Sequence, residues 1–388
     1  MYVLSETFKR FFDSEKTSGL ILIACTVLSL ALANSTLGPS WLALWHTELF
    51  GLSLSHWIND GLMAIFFLLI GLELERELYV GELSNFRNAL LPVVAAIGGM
   101  AAPALIHYLF NGGLPTQAGI GIPMATDIAF ALGALALLGT RVPPALKVFV
   151  VAFAVIDDLG AIILIALFYS GDLSMVHLAG GLAIWVALLL LNRYGRIHTL
   201  PIYLLGGVVM WALMLKSGVH ATIAGVMLAF AIPFWSPAAD QPSPSHRLEN
   251  LLHKPVTLLI LPLFALANTG VVLDGALLSS MLDPNSLGIM GGLVIGKPVG
   301  ILLCALLALW LGWCVLPQDL NWRHVLGAGM LGGIGFTMSI FITNLAFAHQ
   351  PELIDISKLA VFSGSLVAGV LGAAWLAWTS RHSRAETI

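Results

Sequence analysis

Residues 144–170 have the sequence PALKVFVVAFAVIDDLGAIILIALFYS, an apolar run with two adjacent aspartates, Asp157 and Asp158, near its middle. A helix needs about 20 predominantly apolar residues to cross a bilayer, so this run predicts a membrane-spanning helix. Each charge at the centre of such a helix costs roughly 2.5–3.5 kcal/mol on insertion scales. The two acids must therefore be stabilised inside the membrane by pairing, by water or by protonation.

The whole chain has the composition of a membrane protein. Of its 388 residues, 59% are hydrophobic and only 10% are charged, and the mean hydropathy is +0.94. Soluble domains carry about a quarter charged residues, so lipid must be the solvent for much of this surface. About a dozen spans take roughly 240–280 residues at the usual length. We therefore expect a single transmembrane domain over 1–388, in contact with the lipid bilayer.

Charge and cysteine content exclude other classes. The net charge is −4, and no basic or acidic tract is long enough to indicate binding to nucleic acid. Cys25, Cys304 and Cys314 all lie in apolar stretches without metal-ligand spacing, so they are expected to be small buried hydrophobic residues.

Loop signals divide the chain into about twelve apolar segments. The least certain division lies at Lys216-Ser217-Gly218, where two short segments meet almost without a loop. We predict an all-α protein with approximate spans at 17–34, 56–76, 89–110, 119–139, 144–170, 174–192, 199–215, 217–235, 249–271, 286–311, 323–347 and 354–380.

The distribution of cations sets the orientation. With a cytoplasmic N-terminus, fourteen of the 17 lysines and arginines fall inside, Lys216 and Lys358 fall outside, and Lys297 lies within a span. The excess of cations on the cytoplasmic side is what orients membrane proteins. It predicts that both termini are cytoplasmic. We expect the longest cytoplasmic loop at 233–248, and a hairpin in the outer loop at 50–54.

Four ionisable residues lie well inside the apolar segments, namely Asp127, Asp157, Asp158 and Lys297. A buried ion pair that fixes helix packing explains Lys297 with one aspartate. It leaves at least two acids without a cation, and intramembrane acids of that kind are usually ion or proton sites. Neighbouring helical side chains diverge by about 100°. One aspartate can therefore face a cavity while the other pairs elsewhere, plausibly with Lys297.

Two helices are predicted to be interrupted. The sequence at 121–127, GIPMATD, interrupts the fourth span, and that at 332–339, GGIGFTMS, interrupts the eleventh. These spans are the middle members of the triplets three-to-five and ten-to-twelve. Broken helices at matching positions of inverted repeats indicate a binding site near the midplane. Close helix packing is the other explanation for the glycines. At such a site helix N-termini favour an acid such as Asp127, and C-termini favour a cation such as Lys297.

Seven motifs run in order along nearly the whole chain. They are Trp57-Ile58-Asn59-Asp60, Gly71-Leu72-Glu73, Ala125-Thr126-Asp127-Ile128-Ala129-Phe130-Ala131-Leu132-Gly133, Ile156-Asp157-Asp158-Leu159-Gly160-Ala161-Ile162, Lys216-Ser217-Gly218-Val219-His220-Ala221-Thr222, Gly296-Lys297-Pro298 and Gly335-Phe336-Thr337-Met338-Ser339. In sequence and spacing they closely resemble the NhaA family of bacterial Na⁺/H⁺ antiporters, which has inverted repeats.

The resemblance implies twelve helices, two of them unwound where they cross. It implies a multi-pass transporter of the cell inner membrane, not an enzyme and without a cofactor, that exchanges cytoplasmic Na⁺ or Li⁺ for external H⁺. By position, Asp158 matches the family's principal ion-binding acid, Asp157 its partner, and Lys297 the lysine that pairs with Asp157. Thr126 and Asp127 match the residues at the crossing. The implied exchange is electrogenic, with Na⁺ and H⁺ competing for the same aspartates.

The resemblance also implies regulation by pH and a role in pH homeostasis and salt tolerance. Glu77 and Glu249 match acids near the cytoplasmic mouth that are linked to pH activation. His253 and His220 match family histidines. The sequence departs from the family pattern at Asn250, where a histidine is expected. The outer loop before Trp57, which in the family forms a homodimer contact, is shorter here.

Other membrane classes fit the sequence less well. An intramembrane aspartyl protease needs two facing aspartates, but its Gly-x-Gly-Asp motif does not occur and Lys297 would be unexplained. A sodium-coupled symporter needs recognition groups for a solute beyond the ion site. A channel would be obstructed by a lone lysine–aspartate pair.

Overall fold

The computed structural model describes residues 6–171, 173–236, 242–317 and 319–385. The two predicted cytoplasmic ends and the loop predicted at 233–248 fall partly outside the described residues, at 1–5, 386–388 and 237–241.

The described chain is almost entirely helical, which confirms the predicted all-α class. The α-helices are α1 (Glu6–Ala33), α2 (Gly38–Trp45), α3 (Leu54–His56), α4 (Met63–Tyr79), α5 (Phe86–Asn111), α6 (Ile128–Leu138), α7 (Pro144–Phe168), α8 (Met175–Arg193), α9 (Leu200–Ser217), α10 (Ile223–Ala229), α11 (Pro244–Pro255), α12 (Leu261–Asn268), α13 (Gly275–Ser279), α14 (Pro284–Gly291), α15 (Lys297–Trp310), α16 (Trp322–Gly332), α17 (Phe336–Ala346) and α18 (Pro351–Ala385). Shorter 3-10 helices cover Glu82–Ser84, Pro115–Met124, Gly139–Arg141 and Ser280–Leu282, and π-helical turns cover Trp57–Leu62, Val256–Ile260 and Gly292–Gly296.

A small hairpin forms the β structure of the described residues. Strands β1 (Glu48–Leu49) and β2 (Leu52–Ser53) pair antiparallel. Phe50 and Gly51 form the turn with φ of 55° and 82°, as a two-residue hairpin turn with positive φ at both positions requires. The hairpin expected in the outer loop is therefore present.

Eight helices in the described part of the chain are long and apolar enough to cross a membrane, and up to eleven segments qualify if each bent pair counts as one span. Two of the bent pairs are the predicted broken helices. Pro115–Met124 and α6 meet at 40°, and α16 and α17 meet at 45°. The predicted interruptions of the fourth and eleventh spans are thus confirmed.

The predicted span at 217–235 differs from the structure. Its helix, α10, has only seven residues and rises about 10 Å, well short of the hydrocarbon thickness of about 30 Å. Gly218 ends α9 in the left-handed conformation with φ of 83°. The chain then follows an irregular path through 219–222 before α10 begins.

Contacts divide the chain into two compact units. The first unit comprises Met1–Ser35, Glu82–Ala161 and Thr269–Ile388, and the second comprises Thr36–Gly81 and Ile162–Asn268. The prediction of one transmembrane domain over 1–388 stays a prediction.

In the first unit, α5 and α15 approach each other at glycines. A Cβ added at Gly98 would collide with the carbonyl oxygen of Gly300, and one added at Gly300 would collide with that of Gly98. Small residues allow backbones of membrane helices to pack this closely. The contact fixes α15, which begins at Lys297, against α5.

In the second unit, α4 and α10 pack in the same way. A Cβ at Gly71 would lie 2.6 Å from the Cβ of Ala229, and one at Gly225 would collide with the carbonyl oxygen of Ala64. The close approach buries Leu72 and Leu228 in an apolar core. It also holds the end of α4, which carries several charged residues.

Candidate ion-binding site

The candidate site lies in the first unit, where the two broken helices meet. Between Met124 and Ile128 the chain is extended, and between Gly332 and Phe336 it leaves one helix before entering the next. The N–H of Asp127 donates to the carbonyl oxygen of Ile334 at 2.6 Å. The hydroxyl of Ser339 donates to the carbonyl oxygen of Ile122, also at 2.6 Å. Backbone groups at a break in a helix have no partner within that helix. Here residues of the other broken helix form hydrogen bonds with them.

Asp127 caps two helices at once. Its Oδ1 accepts a hydrogen bond from the N–H of Phe130 in α6 at 3.1 Å. Its Oδ2 accepts from the N–H of Thr337 in α17 at 2.9 Å and from the Thr337 hydroxyl at 2.5 Å. Helix N-termini carry partial positive charge, so one carboxylate lies where two positive ends meet. This placement matches the expectation that the breaks favour an acid at this position.

Lys297 lies against Asp157, and both side chains are fully buried. The Lys297 ammonium donates to Oδ2 of Asp157 and to Oγ1 of Thr126 at 2.9 Å. The lysine–aspartate pair expected from the sequence is therefore present. The other carboxylate oxygen of Asp157, Oδ1, is buried and has no hydrogen-bond partner among the described residues.

The hydroxyl of Thr126 connects this pair to the second break. Its Oγ1 lies 2.8 Å from Oδ2 of Asp157 and 2.8 Å from the carbonyl oxygen of Gly332, the last residue of α16. A carbonyl oxygen only accepts, and a threonine hydroxyl has one proton to donate. If that proton goes to Gly332, the contact between Thr126 and Asp157 is favourable only when Asp157 carries a proton of its own.

The sequence analysis expected a helix C-terminus to favour Lys297. The structure instead places Thr126 on the C-terminal carbonyl of α16, and Lys297 donates to Thr126. The Thr126 hydroxyl therefore links the Lys297–Asp157 pair to the end of α16.

Asp158 follows Asp157 on α7 and is turned away from it by about 100°. Its side chain is 1% exposed, and its charge interacts with that of Lys297. The two adjacent aspartates therefore belong to one electrostatic group. Among the described residues there is no cluster of three or more His, Cys, Asp or Glu side chains that could hold a metal ion.

Two features place Lys297, and the sequence analysis missed the first of them. The π-helical turn Gly292–Gly296 immediately precedes Lys297, and such turns occur often at functional sites. Pro298 follows, and its missing N–H cannot continue the helical bonding across that point. The glycines at 291, 292 and 296, just before the Lys297-Pro298 pair, are the signal that marks this turn in the sequence.

The residues implied in pH regulation lie in two places of the second unit. Arg76 forms ion pairs with Glu249 at 3.0 Å and with Glu77 at 3.4 Å. His253, one helical turn after Glu249 on α11, interacts electrostatically with it. Arg76 holds this group together, and sequence reasoning had used it only for orientation.

His220 lies elsewhere in that unit, beside Asp60. Asp60 also pairs with His56 at 3.1 Å. His56 was not singled out from the sequence, although its spacing of four residues from Asp60 in a helical segment is a usable signal. Asn250, where the resemblance led us to expect a histidine, is exposed and donates to the carbonyl oxygen of His246 at 2.8 Å.

Comparison with known proteins gives one consistent result. The sequence profile of the family described as Na⁺/H⁺ antiporter 1 matches residues 9–376. The chain is 64% identical over 379 residues to the Na⁺/H⁺ antiporter NhaA of Dechloromonas aromatica, covering 98% of this chain and 97% of that one. It is 54% identical over 379 residues to the NhaA of Cytophaga hutchinsonii, with the same coverage. With the NhaA of Mesorhizobium japonicum the identity is 49% over 374 residues, covering 95% and 94%.

Proposed function

Because this chain belongs to the NhaA family of Na⁺/H⁺ antiporters, we propose that it extrudes cytoplasmic Na⁺ or Li⁺ in exchange for external protons. It is a multi-pass protein of the bacterial inner membrane. The proposed exchange is electrogenic and regulated by pH, and its physiological roles are pH homeostasis and salt tolerance. One observation carries the proposal, namely the buried group of Asp157, Lys297 and Thr126 where two broken helices cross.

Competition at this group accounts for exchange. Hard cations bind oxygen ligands, and Asp158, Asp157 Oδ1, Thr126 Oγ1 and nearby carbonyl oxygens supply them. The Lys297 ammonium already neutralises Asp157. A sodium ion about 4 Å from that ammonium would be repelled by roughly 4 kcal/mol at an effective dielectric constant of 20. Entry of Na⁺ therefore favours loss of a proton from the group, and return of the proton favours loss of Na⁺.

Electrogenic exchange requires that more than one proton return for each Na⁺. Asp158 and the Asp157–Lys297 pair are close enough to titrate as a coupled set, and each is a proton carrier in this proposal. Every net charge moved gains about 2.3 kcal/mol per 100 mV of membrane potential. The protonated or Na⁺-loaded site can cross the barrier, whereas an empty site with two negative charges is too costly to move.

The crossing supplies the moving part in this proposal. Transporters of inverted-repeat architecture alternate access around a site at the midplane, formed by broken helices. Here Thr126 joins the site to the carbonyl end of α16, and Asp127 joins the starts of α6 and α17. A change of charge at Asp157 thus acts on both breaks through side chains already in contact with them.

Regulation by pH is assigned to the group of Arg76, Glu77, Glu249 and His253. The two acids Glu77 and Glu249 share Arg76, so protonation of one acid changes the pairing of the other. His220 belongs to a separate group with Asp60. Dimerisation through the hairpin β1–β2, implied by the resemblance, stays a prediction.

The test uses everted membrane vesicles with a respiration-driven, acid-inside pH gradient reported by a fluorescent dye. Na⁺ and Li⁺ are expected to dequench the dye, K⁺ is not, and the response should rise at alkaline pH. Asp158→Asn should abolish it, while the matched change Asp274→Asn at an exposed helix cap should leave it intact. Normal exchange by folded and inserted Asp158→Asn protein would overturn the assignment.

A further inference from the structure

An apolar groove lies beside the crossing, entirely within the first unit. It has a volume of about 500 Å³ and is formed by α1, α6, α18 and the second break. This volume falls in the range of about 300–1,000 Å³ usual for ligand pockets. Its floor is made by Ile334 and Phe336, which are buried on either side of Gly335. Its rim includes Val27, Leu137 and Leu366, each more than 60% exposed.

We propose that this groove binds one acyl chain of a membrane phospholipid. The groove is an ordered site, distinct from the exchanging lipid around the protein. The proposal concerns lipid only and does not depend on which ions the protein transports.

The chemistry of the lining selects an apolar occupant. Thr26 and Ser365 are the two side chains with polar atoms among the lining residues. The Thr26 hydroxyl donates to the carbonyl oxygen of Leu22 at 2.8 Å, and the Ser365 hydroxyl accepts from the N–H of Gly335 at 3.3 Å. Both are engaged within the chain, so the groove offers a ligand little besides hydrocarbon contact. A headgroup or a polar solute would be desolvated there without compensation.

The shape and depth of the groove select a long chain. Along α1 the lining extends from Gly19 to Leu30, and along α18 from Phe362 to Ala373. Each stretch has a rise of about 17 Å. The stretches lie inside Thr17–Ala33, the first helix of a bent candidate span, and Pro351–Ser380, a candidate span of its own. An elongated apolar cavity within the hydrocarbon region, open at its rim, is in contact with acyl chains as its solvent. An acyl chain fits its length, its depth and its lining.

An acyl chain in the groove would lie against the moving part of the transporter. Ile334 supplies the carbonyl oxygen that accepts from Asp127 N–H. Phe336 is the first residue of α17 and its ring packs on that of Phe130 at 4.8 Å. Displacement of α17 at the break would therefore change the floor of the groove, so occupancy and the position of the break are coupled.

Photo-cross-linking tests the site in the whole protein. The protein is reconstituted into vesicles of phosphatidylethanolamine and phosphatidylglycerol that contain a trace of phospholipid with a diazirine in one acyl chain. Cross-links are mapped by mass spectrometry and compared between positions at one fixed mole fraction of labelled phospholipid. We expect cross-links at Phe130–Leu138 and Phe362–Ala373 to be several times more frequent than at the exposed α9 residues Leu205 and Val208.

Filling the groove gives a second measurement. Ala134→Phe places a ring among the lining residues, and Ala101→Phe places one on an exposed position of α5 outside the groove. Cross-linking at the groove should fall to the α9 level in Ala134→Phe and stay unchanged in Ala101→Phe. Groove cross-links in the unaltered protein that are no more frequent than those of α9, at the same mole fraction of labelled lipid, would overturn the proposal. This comparison in the unaltered protein tests the proposal even if the Ala134→Phe variant does not fold.

Discussion

Replacing Asp127 by asparagine is expected to destabilise the protein far more than the same change at an ordinary helix cap. Asp127 accepts from two helix N-termini, through Oδ1 from Phe130 and through Oδ2 from Thr337. Asparagine has one oxygen and one NH₂ group, so one of the two backbone N–H groups must face another donor. An unsatisfied buried donor costs about 1–3 kcal/mol, and the lost charge at two helix ends adds about 0.3–1 kcal/mol each. The sum is roughly 2–5 kcal/mol.

Thermal unfolding in detergent, followed by the fluorescence of the 11 tryptophans, measures this loss. A change of 1 kcal/mol shifts Tm by about 2–4 °C in a large domain, so Asp127→Asn should lower Tm by about 4–20 °C. The control is Asp274→Asn, whose carboxylate is exposed and accepts from the N–H of Leu277 in α13 at 2.7 Å. Asparagine caps a single helix about as well as aspartate, so its Tm should hardly change. Equal Tm values for the two variants would refute the double cap.

Three further variants test other contacts. Thr126→Val leaves the carbonyl oxygen of α16 unsatisfied, which costs about 1–3 kcal/mol. It also removes an oxygen proposed to bind Na⁺, and a loss of that size would raise the half-maximal Na⁺ concentration about 5- to 150-fold. Thr126→Ser, which keeps the hydroxyl, should retain the original value. A valine variant with unaltered Na⁺ dependence would exclude the hydroxyl from the site. Glu249→Gln removes a partner of Arg76 and should make the pH dependence of exchange shallower, and an unchanged pH profile in vesicles would count against regulation there. Gly98→Ala has no room for its methyl group and should lower stability by about 1–3 kcal/mol, whereas Gly275→Ala, in open space, should not. Tm values that do not separate the two alanine variants would contradict the close packing of α5 and α15.

The sequence predicted those features that follow from the cost of placing polar groups in hydrocarbon. Four charges in apolar segments required partners, and Lys297 with Asp157 was one solution. Helix-breaking residues at 121–127 and 332–339 required a place where free backbone groups are bonded. Both requirements are local properties of the chain and are visible without a structure.

The remaining features depend on which segments meet, which the sequence does not state. The contact of Thr126 with Gly332 joins residues 206 positions apart. Arg76 links Glu77, its neighbour, to Glu249 on another helix. Neither partner is determined by local pattern, because a threonine or an arginine at a span end has many suitable acceptors. The length of α10 was missed for a related reason, since apolar composition alone does not distinguish a short helix with irregular flanks from a full span.

The mutual bonding of the two breaks also bears on how the protein is made. Asp127 and Thr337 are 210 residues apart, and ribosomes add about 5–20 residues per second. For roughly 10–40 s, the nascent segment around Ala125 is in the membrane before its partner segment has been synthesised. During that time water, lipid headgroups or the insertion machinery must bond its exposed amides. A ribosome that stalls within the last third of the message would therefore leave an early helix unfinished, and that product would be a substrate for quality-control proteases.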